Sequence, residues 1–191
     1  INCHAGKLPF YRGRNILNWA LINDEKEFGV TVHYVDSGID TGDVILQKTY
    51  SINDEDDYST LLERSHGYCA DVVYEAMVNI AENKSSRIPQ SSFDTPGFYY
   101  SQRKVGDELL DWNQTSREIF NFVRAICSPG PCARTFVSGS EVKINRAELV
   151  CGAPTYRGIP GAVVGLSDDS FTVKTSDSCV RVVEYTSDVR V

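Results

Sequence analysis

The chain has 191 residues, 41% of them hydrophobic and 24% charged, which suits one or two domains with a real core. No apolar run approaches the ~18 residues needed to cross a bilayer, and no secretory signal precedes the first strand-like segment, so a cytoplasmic protein with no membrane partner is expected. A formal net charge of −7 repels phosphate backbones and argues against general nucleic-acid binding. Six cysteines stand at 3, 69, 127, 132, 151 and 179, with no Cys-x-x-Cys pair. They read as reduced thiols rather than as a disulfide framework or a zinc site. Cys127 and Cys132 are five apart, a spacing open to a redox pair that nothing nearby supports. The opening Ile-Asn-Cys-His has no initiator Met and reads as a fragment, a processed product or the ordered part of a longer polypeptide.

In chain order, Gly6 to Gly13 is a loop by its glycines, proline and basic residues. Asn15 to Ile22 has a helical pattern, with Ile16, Leu17, Ala20 and Leu21 on one side. Asp24 to Lys26 is a charged turn. Gly29 to Val35 is β-branched and aromatic and predicts a strand, followed by the turn Asp36-Ser37-Gly38; a second strand covers Asp43 to Tyr50. The strongest helix runs from Tyr58 to Glu82, with Leu61, Leu62, Cys69, Val72, Val73, Ala76, Met77 and Ile80 as its apolar stripe. Acidic residues at 54 to 57 lie where a helix dipole favours negative charge. The polar stretch Asn83 to Gly106 is long enough to predict a functional loop. Thr115-Ser116-Arg117-Glu118 matches a capping box and opens a helix whose apolar side carries Ile119, Phe120, Val123 and Ile126. Short strands follow over 134–137, 141–144, 162–166, 170–175 and 180–185, separated by Gly, Ser and Asp turns. The order predicts an α/β part over 1–130 and a small β-rich C-terminal module over 131–191.

Asn2 and His4 are two apart, so on a strand they face the same side. Asp40 lies between two predicted strands, in Gly38-Ile39-Asp40-Thr41-Gly42-Asp43. Loops of an α/β sheet converge at strand ends, where these three side chains suit acyl transfer. An Asn amide can donate to a carbonyl oxygen as negative charge develops. An imidazole can move a proton or stabilise the oxyanion, and a carboxylate orients it and favours its charged form. Strand-end capping and a satisfied polar core is the competing account of the same trio. His33 and His66 read as a plain strand residue and a polar helix residue. Asp36, Asp40 and Asp43 fit neither a calcium loop nor a zinc site, so no metal is expected.

Residues 1–47 also carry a resemblance. Asn-x-His is followed by Leu8-Pro9 and Tyr11-Arg12-Gly13, then Gly29-Val30-Thr31, then Gly38-Ile39-Asp40-Thr41-Gly42. This series resembles the N10-formyltetrahydrofolate-dependent formyltransferases and continues in Asp111-Trp112, Arg124-Ala125 and the β-rich end. It implies the C-terminal part of a Rossmann-like formyltransferase core, with a further half-domain ahead of Asn2, and a small β-rich, OB-like module after it. It further implies N10-formyltetrahydrofolate as formyl donor. Asn2 would hold the formyl oxygen, His4 would stabilise the tetrahedral intermediate and relay a proton, and Asp40 would set the charge of His4 through a water. Val35, Asp36, Ser37, Gly38, Ile39 and Asp40 match the family's pterin-binding loop, and Leu8, Pro9, Tyr11, Arg12 and Gly13 fall on its substrate side.

Three acceptors occur in that family: glycinamide ribonucleotide, methionyl-tRNA and nucleotide-linked amino sugars. The extension past Asp111-Trp112 is unlike the short purine-pathway enzymes, and Tyr11-Arg12-Gly13-Arg14 with Asn18-Trp19 resembles the sugar branch most. From Pro131 onward, Lys/Arg at 134, 143, 146, 157, 174, 181 and 190 balance Asp/Glu at 141, 148, 168, 169, 177, 184 and 188, whereas a tRNA-gripping module is usually basic. A nucleotide-linked amino sugar, formylated for surface-polysaccharide synthesis, is therefore the expected substrate; methionyl-tRNA is the alternative. A non-catalytic remnant that binds folate or a partner is a third reading. Arg103, Lys104 and Arg124 are candidate phosphate contacts, since Arg suits bidentate recognition. Tyr99, Tyr100 and Trp112 could flank a base or a hexose. The family's Pro-Trp-Pro-like segment is here Ser128-Pro129-Gly130-Pro131, a departure that touches the substrate pocket. The β-rich module is also where a homodimer contact would be sought.

Overall fold

The computed structural model describes residues 1–188 and resolves into two compact units. The first comprises residues 1–20, 25–56 and 60–103; the second comprises 21–24, 57–59 and 104 onward. Arg190, one of the cations counted above, lies outside the described residues.

The first unit is built on a three-stranded antiparallel sheet in the order β1 (Asn2–His4), β3 (Glu27–His33), β4 (Val44–Ser51). Between its two partners β3 is buried at every position but Glu27, which includes the polar Thr31 and His33. The register sets Asn2 opposite His33 and His4 opposite Thr31. This strand ends two residues before the predicted Val35: the Tyr34 N–H still reaches the Asp43 carbonyl at 2.9 Å, and Val35 beyond it is exposed. Helix α1 (Ile16–Ile22) buries Ile16, Leu17 and Ala20, as its spacing predicts.

Helix α2 (Tyr58–Ala81) is anchored at its start by Asp56. That carboxylate accepts from the Asn53 N–H at 2.9 Å and the Arg64 guanidinium at 2.6 Å. Tyr68 of α2 stacks on Tyr50 of β4 at 3.6 Å between centroids. The buried face of α2 is Leu61, Ser65, Val72 and Ala76. Met77, predicted on that stripe, is 49% exposed: it stands one residue past Ala76, about 100° further round the helix.

Of the predicted loop 83–106, residues 83–103 are part of the first unit rather than a mere connector, and 104–106 belong to the second. Ile88 bridges to Val44, Gln90–Ser92 form a 3-10 turn, and β5 (Tyr99–Tyr100) pairs in parallel with β2 (Arg12–Gly13). A second-layer aromatic cluster follows from that pairing. Tyr100 stacks on Trp19 at 4.8 Å and on Tyr11 at 5.3 Å, and Phe98 meets Tyr11 edge-on.

The second unit is the β-rich module, with one helix on it. Its sheet runs β6 (Ala133–Val137), β7 (Ser140–Leu149), β10 (Cys179–Ser187), β9 (Phe171–Lys174), β8 (Val163–Leu166), all neighbours antiparallel. Val142, Ile144, Ala147, Phe171, Val173, Val180 and Val182 form its buried side. Strand β7 extends five residues past the predicted Ile144. Polar Asn145 and Arg146 break the alternation there, opposite a bulge in β10, and Ala147 restores the inward face. Helix α3 (Ser116–Ile126) packs on β7 and begins with the predicted capping box, Thr115 and Glu118 each holding the other's backbone N–H.

Candidate functional site

β1 ends in the loop that carries Gly6 and Tyr11, and β3 and β4 are joined by the loop that carries Asp40. The sheet brings these together with the polar end of β3. His4 Nε2 lies 2.7 Å from the Tyr11 carbonyl oxygen and Nδ1 lies 3.6 Å from Asp40 Oδ2. A carbonyl only accepts, so Nε2 carries a proton and Nδ1 is the nitrogen presented to the carboxylate. The other Asp40 oxygen lies 3.6 Å from His33 Nε2, and that same nitrogen is 3.1 Å from the Asn2 amide. His33 Nδ1 is held by the Tyr34 carbonyl at 2.8 Å, which leaves Nε2 of the neutral ring as an acceptor for Asn2. Asn2, His33, Asp40 and His4 thus form one continuous polar chain, exposed at Asn2 and closed in at the histidines.

Three features hold it. The Gly13 N–H donates to Asp40 Oδ2 at 2.9 Å. Gln90, 7% exposed, donates from Nε2 to the carbonyls of Asp40 and Gly42, both at 2.8 Å, and accepts at Oε1 from the Arg12 guanidinium at 2.5 and 3.1 Å. Tyr11 and Asp40 have left-handed backbones, φ 55 and 53, a conformation of non-glycine residues that costs free energy and clusters at functional sites. Gly6 is required by closeness: a Cβ there would lie 2.6 Å from the Tyr11 carbonyl oxygen and collide with the His4 ring.

The remaining predicted residues are spread out. Leu8 and Pro9 are buried in the loop and joined by a cis peptide bond. Val35 to Ile39 form an exposed turn in which Asp36 accepts from the Gly38 N–H and the Thr41 hydroxyl, while Val35 and Ile39 stand 68% and 66% exposed. Hydrogen bonding from Thr41, outweighing what burial there is, holds the Asp36 carboxyl below its usual range. Arg103 lies over the Trp19 ring in the first unit. Lys104 and Arg124 belong to the second unit, where Arg124 is buried against Asn121 and Phe120 and faces Asp24 at 3.7 Å. Beside Gly6 and Tyr11 is a cavity of about 160 Å³ lined by Lys7, Phe10, Glu25, Glu27 and Phe98. Among the described residues no group of three His, Cys, Asp or Glu side chains could hold a metal ion, and no helix is long and apolar enough to cross a membrane.

Sequence reasoning passed over His33 and Gln90. His33 alternates with Thr31 and so looks like any strand position; only the register against β1 shows that it meets Asn2. Gln90 sits in a polar loop 50 residues from the carbonyl it holds, and no local signal marks it.

Comparison with known proteins fits the sheet and the module separately. The formyl transferase family model matches residues 1–77, and the model of the formyl transferase C-terminal domain matches residues 103–188. The chain belongs to the formyltransferase family. Within it, a methionyl-tRNA formyltransferase of Pelotomaculum thermopropionicum is 37% identical over 186 residues, covering 96% of this chain and 57% of that protein. One of Thermodesulfovibrio yellowstonii is 37% identical over 183 residues, with 96% and 56% covered. The chain therefore spans a little over half the length of these curated formyltransferases. Among solved structures, HypX from Aquifex aeolicus in complex with tetrahydrofolic acid superposes with a TM-score of 0.68 at 26% identity, over 98% of this chain and 32% of that one. An N-formyltransferase from Helicobacter canadensis, complexed with folinic acid and dTDP-3-aminofucose, shares the fold, with a TM-score of 0.70 at 23% identity over 97% and 65%.

Proposed function

We propose that this chain carries the acyl-transfer centre of an enzyme that moves a formyl group from N10-formyltetrahydrofolate to the amino group of a nucleotide-linked amino sugar. The observation that carries the reading is the polar chain Asn2–His33–Asp40–His4 at one end of the sheet. The folate would supply the formyl carbon already activated on nitrogen. Exposed Val35 and Ile39 offer an apolar surface that suits a flat heteroaromatic ring, so these residues fit the donor.

Each side chain then has one task. The Asn2 amide has two N–H groups; one goes to His33, and the other is available to the formyl oxygen as negative charge develops there. The His4 Nδ1 edge, turned to Asp40, takes up the proton that the attacking amine must lose and returns it to the departing nitrogen. Asp40 balances the ring while it is charged, and the Gly13 N–H fixes the carboxylate in place. Tyr11, Arg12 and Gly13, with Tyr99 beside Arg12, would line the acceptor side, and Arg103 would meet a phosphate.

The charge pattern of the second unit supports the sugar. Arg134 is paired with Glu108 and Glu141, Lys143 faces Glu141, and Arg146 faces Glu148 and Glu184. Lys174 is buried on the Thr175 carbonyl. A face that grips tRNA needs cations that release counterions from phosphates, and these four are already engaged, which leaves exposed Arg157 and Arg181 among the described residues from Pro131 onward. A second reading, methionyl-tRNA as acceptor, is favoured by the name and the 37% identity of the curated relatives.

Incubating the full-length protein with N10-formyltetrahydrofolate and either UDP-, dTDP- and GDP-linked amino sugars or methionyl-tRNA tests both. Formylation of a sugar that is abolished by His4→Ala is the expected result. Transfer to methionyl-tRNA and to no sugar would replace the first reading by the second, and unchanged turnover in His4→Ala would remove His4 from either.

A further inference from the structure

Cys3 lies between Asn2 and His4 on β1, so its side chain leaves by the opposite face of the strand. There it meets α2. Its thiol donates to the Cys69 carbonyl oxygen at 3.9 Å, although the two residues are 66 apart in sequence. Both are half-buried and neither is in a disulfide. The contact separates the two thiols in acidity. The hydrogen bond from Cys3 brings Cys69 down to about 7, against the effect of burial. The same hydrogen bond, with burial and the neighbouring thiolate, pushes Cys3 well up. Cys69 is the nucleophilic partner, since the thiolate is the reactive form. Of the other cysteines, Cys127 is buried and pushed up to about 11, chiefly by desolvation, and Cys179 is buried as well.

We propose that Cys3 and Cys69 are an oxidation-sensitive dithiol that a hydroperoxide closes to a disulfide behind the Asn2–His4 face, lowering formyl transfer. The Cys69 thiolate attacks one peroxide oxygen and the O–O bond breaks, giving a sulfenic acid and, with one proton, water. The Cys3 sulfur then attacks the Cys69 sulfur; the S–O bond breaks, the Cys3 proton goes to the leaving oxygen, and a second water departs. Two thiols are oxidised and one hydrogen peroxide is reduced to two waters. A disulfide bond of about 2.05 Å is far shorter than a thiol hydrogen bond, so closure draws β1 toward α2. Asn2 and His4 move with that three-residue strand, whereas Asp40 stays with its own loop. The effect on catalysis rests on the acyl-transfer reading above; the disulfide itself does not.

The test treats the full-length protein with graded hydrogen peroxide, counts free thiols, and maps cross-linked peptides by mass without reduction. Two thiols should disappear together, with the Cys3 peptide joined to the Cys69 peptide and both restored by dithiothreitol. Cys69→Ser should keep its basal activity, form no cross-linked Cys3 peptide and lose no turnover at the same dose. Formyl transfer by the oxidised wild type should fall at least about tenfold, the scale expected for displacing a catalytic group by an ångström or so, and recover on reduction. A different cysteine pair, Cys69 over-oxidised without a link to Cys3, a cross-link that leaves turnover unchanged, or equal peroxide loss in Cys69→Ser would each overturn the proposal. A protein that transfers no formyl group before oxidation would instead count against the acyl-transfer reading, and the peptide map would still decide the dithiol.

Discussion

Replacing Gln90 by Leu keeps the side-chain size nearly constant while removing four polar contacts, which makes it a sharp probe of the site's scaffold. Gln90 Nε2 serves the Asp40 and Gly42 carbonyls, and Oε1 serves two nitrogens of Arg12. Each carbonyl left without its donor costs about 1 kcal/mol net, and the charge-assisted contact to Arg12 about 1.5 kcal/mol, since a half-buried guanidinium can turn partly to water. The total is about 3–4 kcal/mol. With a urea slope of about 2 kcal/mol per molar, the unfolding midpoint of the first unit should fall by about 1.5–2 M at unchanged slope. Trp19, stacked on Tyr100 in that unit, reports the transition by fluorescence. A shift below about 0.5 M would show that water replaces Gln90 at little cost and that it does not brace the Asp40 loop.

His33→Phe should leave the far-UV circular dichroism unchanged and lower formyl transfer by about tenfold or more, since one lost orienting hydrogen bond to Asn2 of about 1.4 kcal/mol is a factor of ten. Turnover equal to the parent's would reduce His33 to core packing. Leu61→Ala, at a fully buried position, should cost about 2–4 kcal/mol in chemical denaturation, whereas Met77→Ala should stay within about 0.5 kcal/mol. Equal losses would mean that the buried face of α2 is wrongly drawn. Burial alone would raise the Asp177 carboxyl, but hydrogen bonds from the Ser116 N–H, the Thr175 hydroxyl and the Ser178 N–H hold it below its usual range. A depressed folded value gives stability that is present above the unfolded value, about 3.9, and disappears as pH falls through the folded one. Acid melts of the protein should lose stability over that window, and Asp177→Asn should flatten the dependence; an unaltered slope would contradict the assignment.

Periodicity made the local features of this fold readable. The capping box at Thr115, the long helix from Tyr58 and the Asn-x-His face all follow from spacing within a few residues, and each stands in the structure as expected. What spacing could not carry was register. His33 enters the site because β1 pairs with β3 in one alignment and not in its neighbour, and Cys3 meets Cys69 because β1 lies against α2. The extension of β7 was hidden by Asn145 and Arg146, polar residues that a bulge tolerates and a simple alternation does not. Met77 shows the opposite limit: spacing places this apolar residue close to the buried face, which the helix fills with Ala76 instead.

On the proposed acyl-transfer reading, the Tyr11 carbonyl, aimed at His4 by a left-handed backbone, would make the imidazole a relay with a single port. While that carbonyl is in place, Nε2 cannot release its proton to an incoming group, and exchange runs only through the edge that faces Asp40. The loop from Leu8 to Gly13 would thereby set the direction from which the amine of that reading arrives. Any ligand that pulls Tyr11 away would free the second port and let the ring change tautomer. Substrate seating and proton traffic would then be one event rather than two. A single proton in flight, seen as a linear dependence of rate on deuterium content, is the kinetic counterpart of that arrangement.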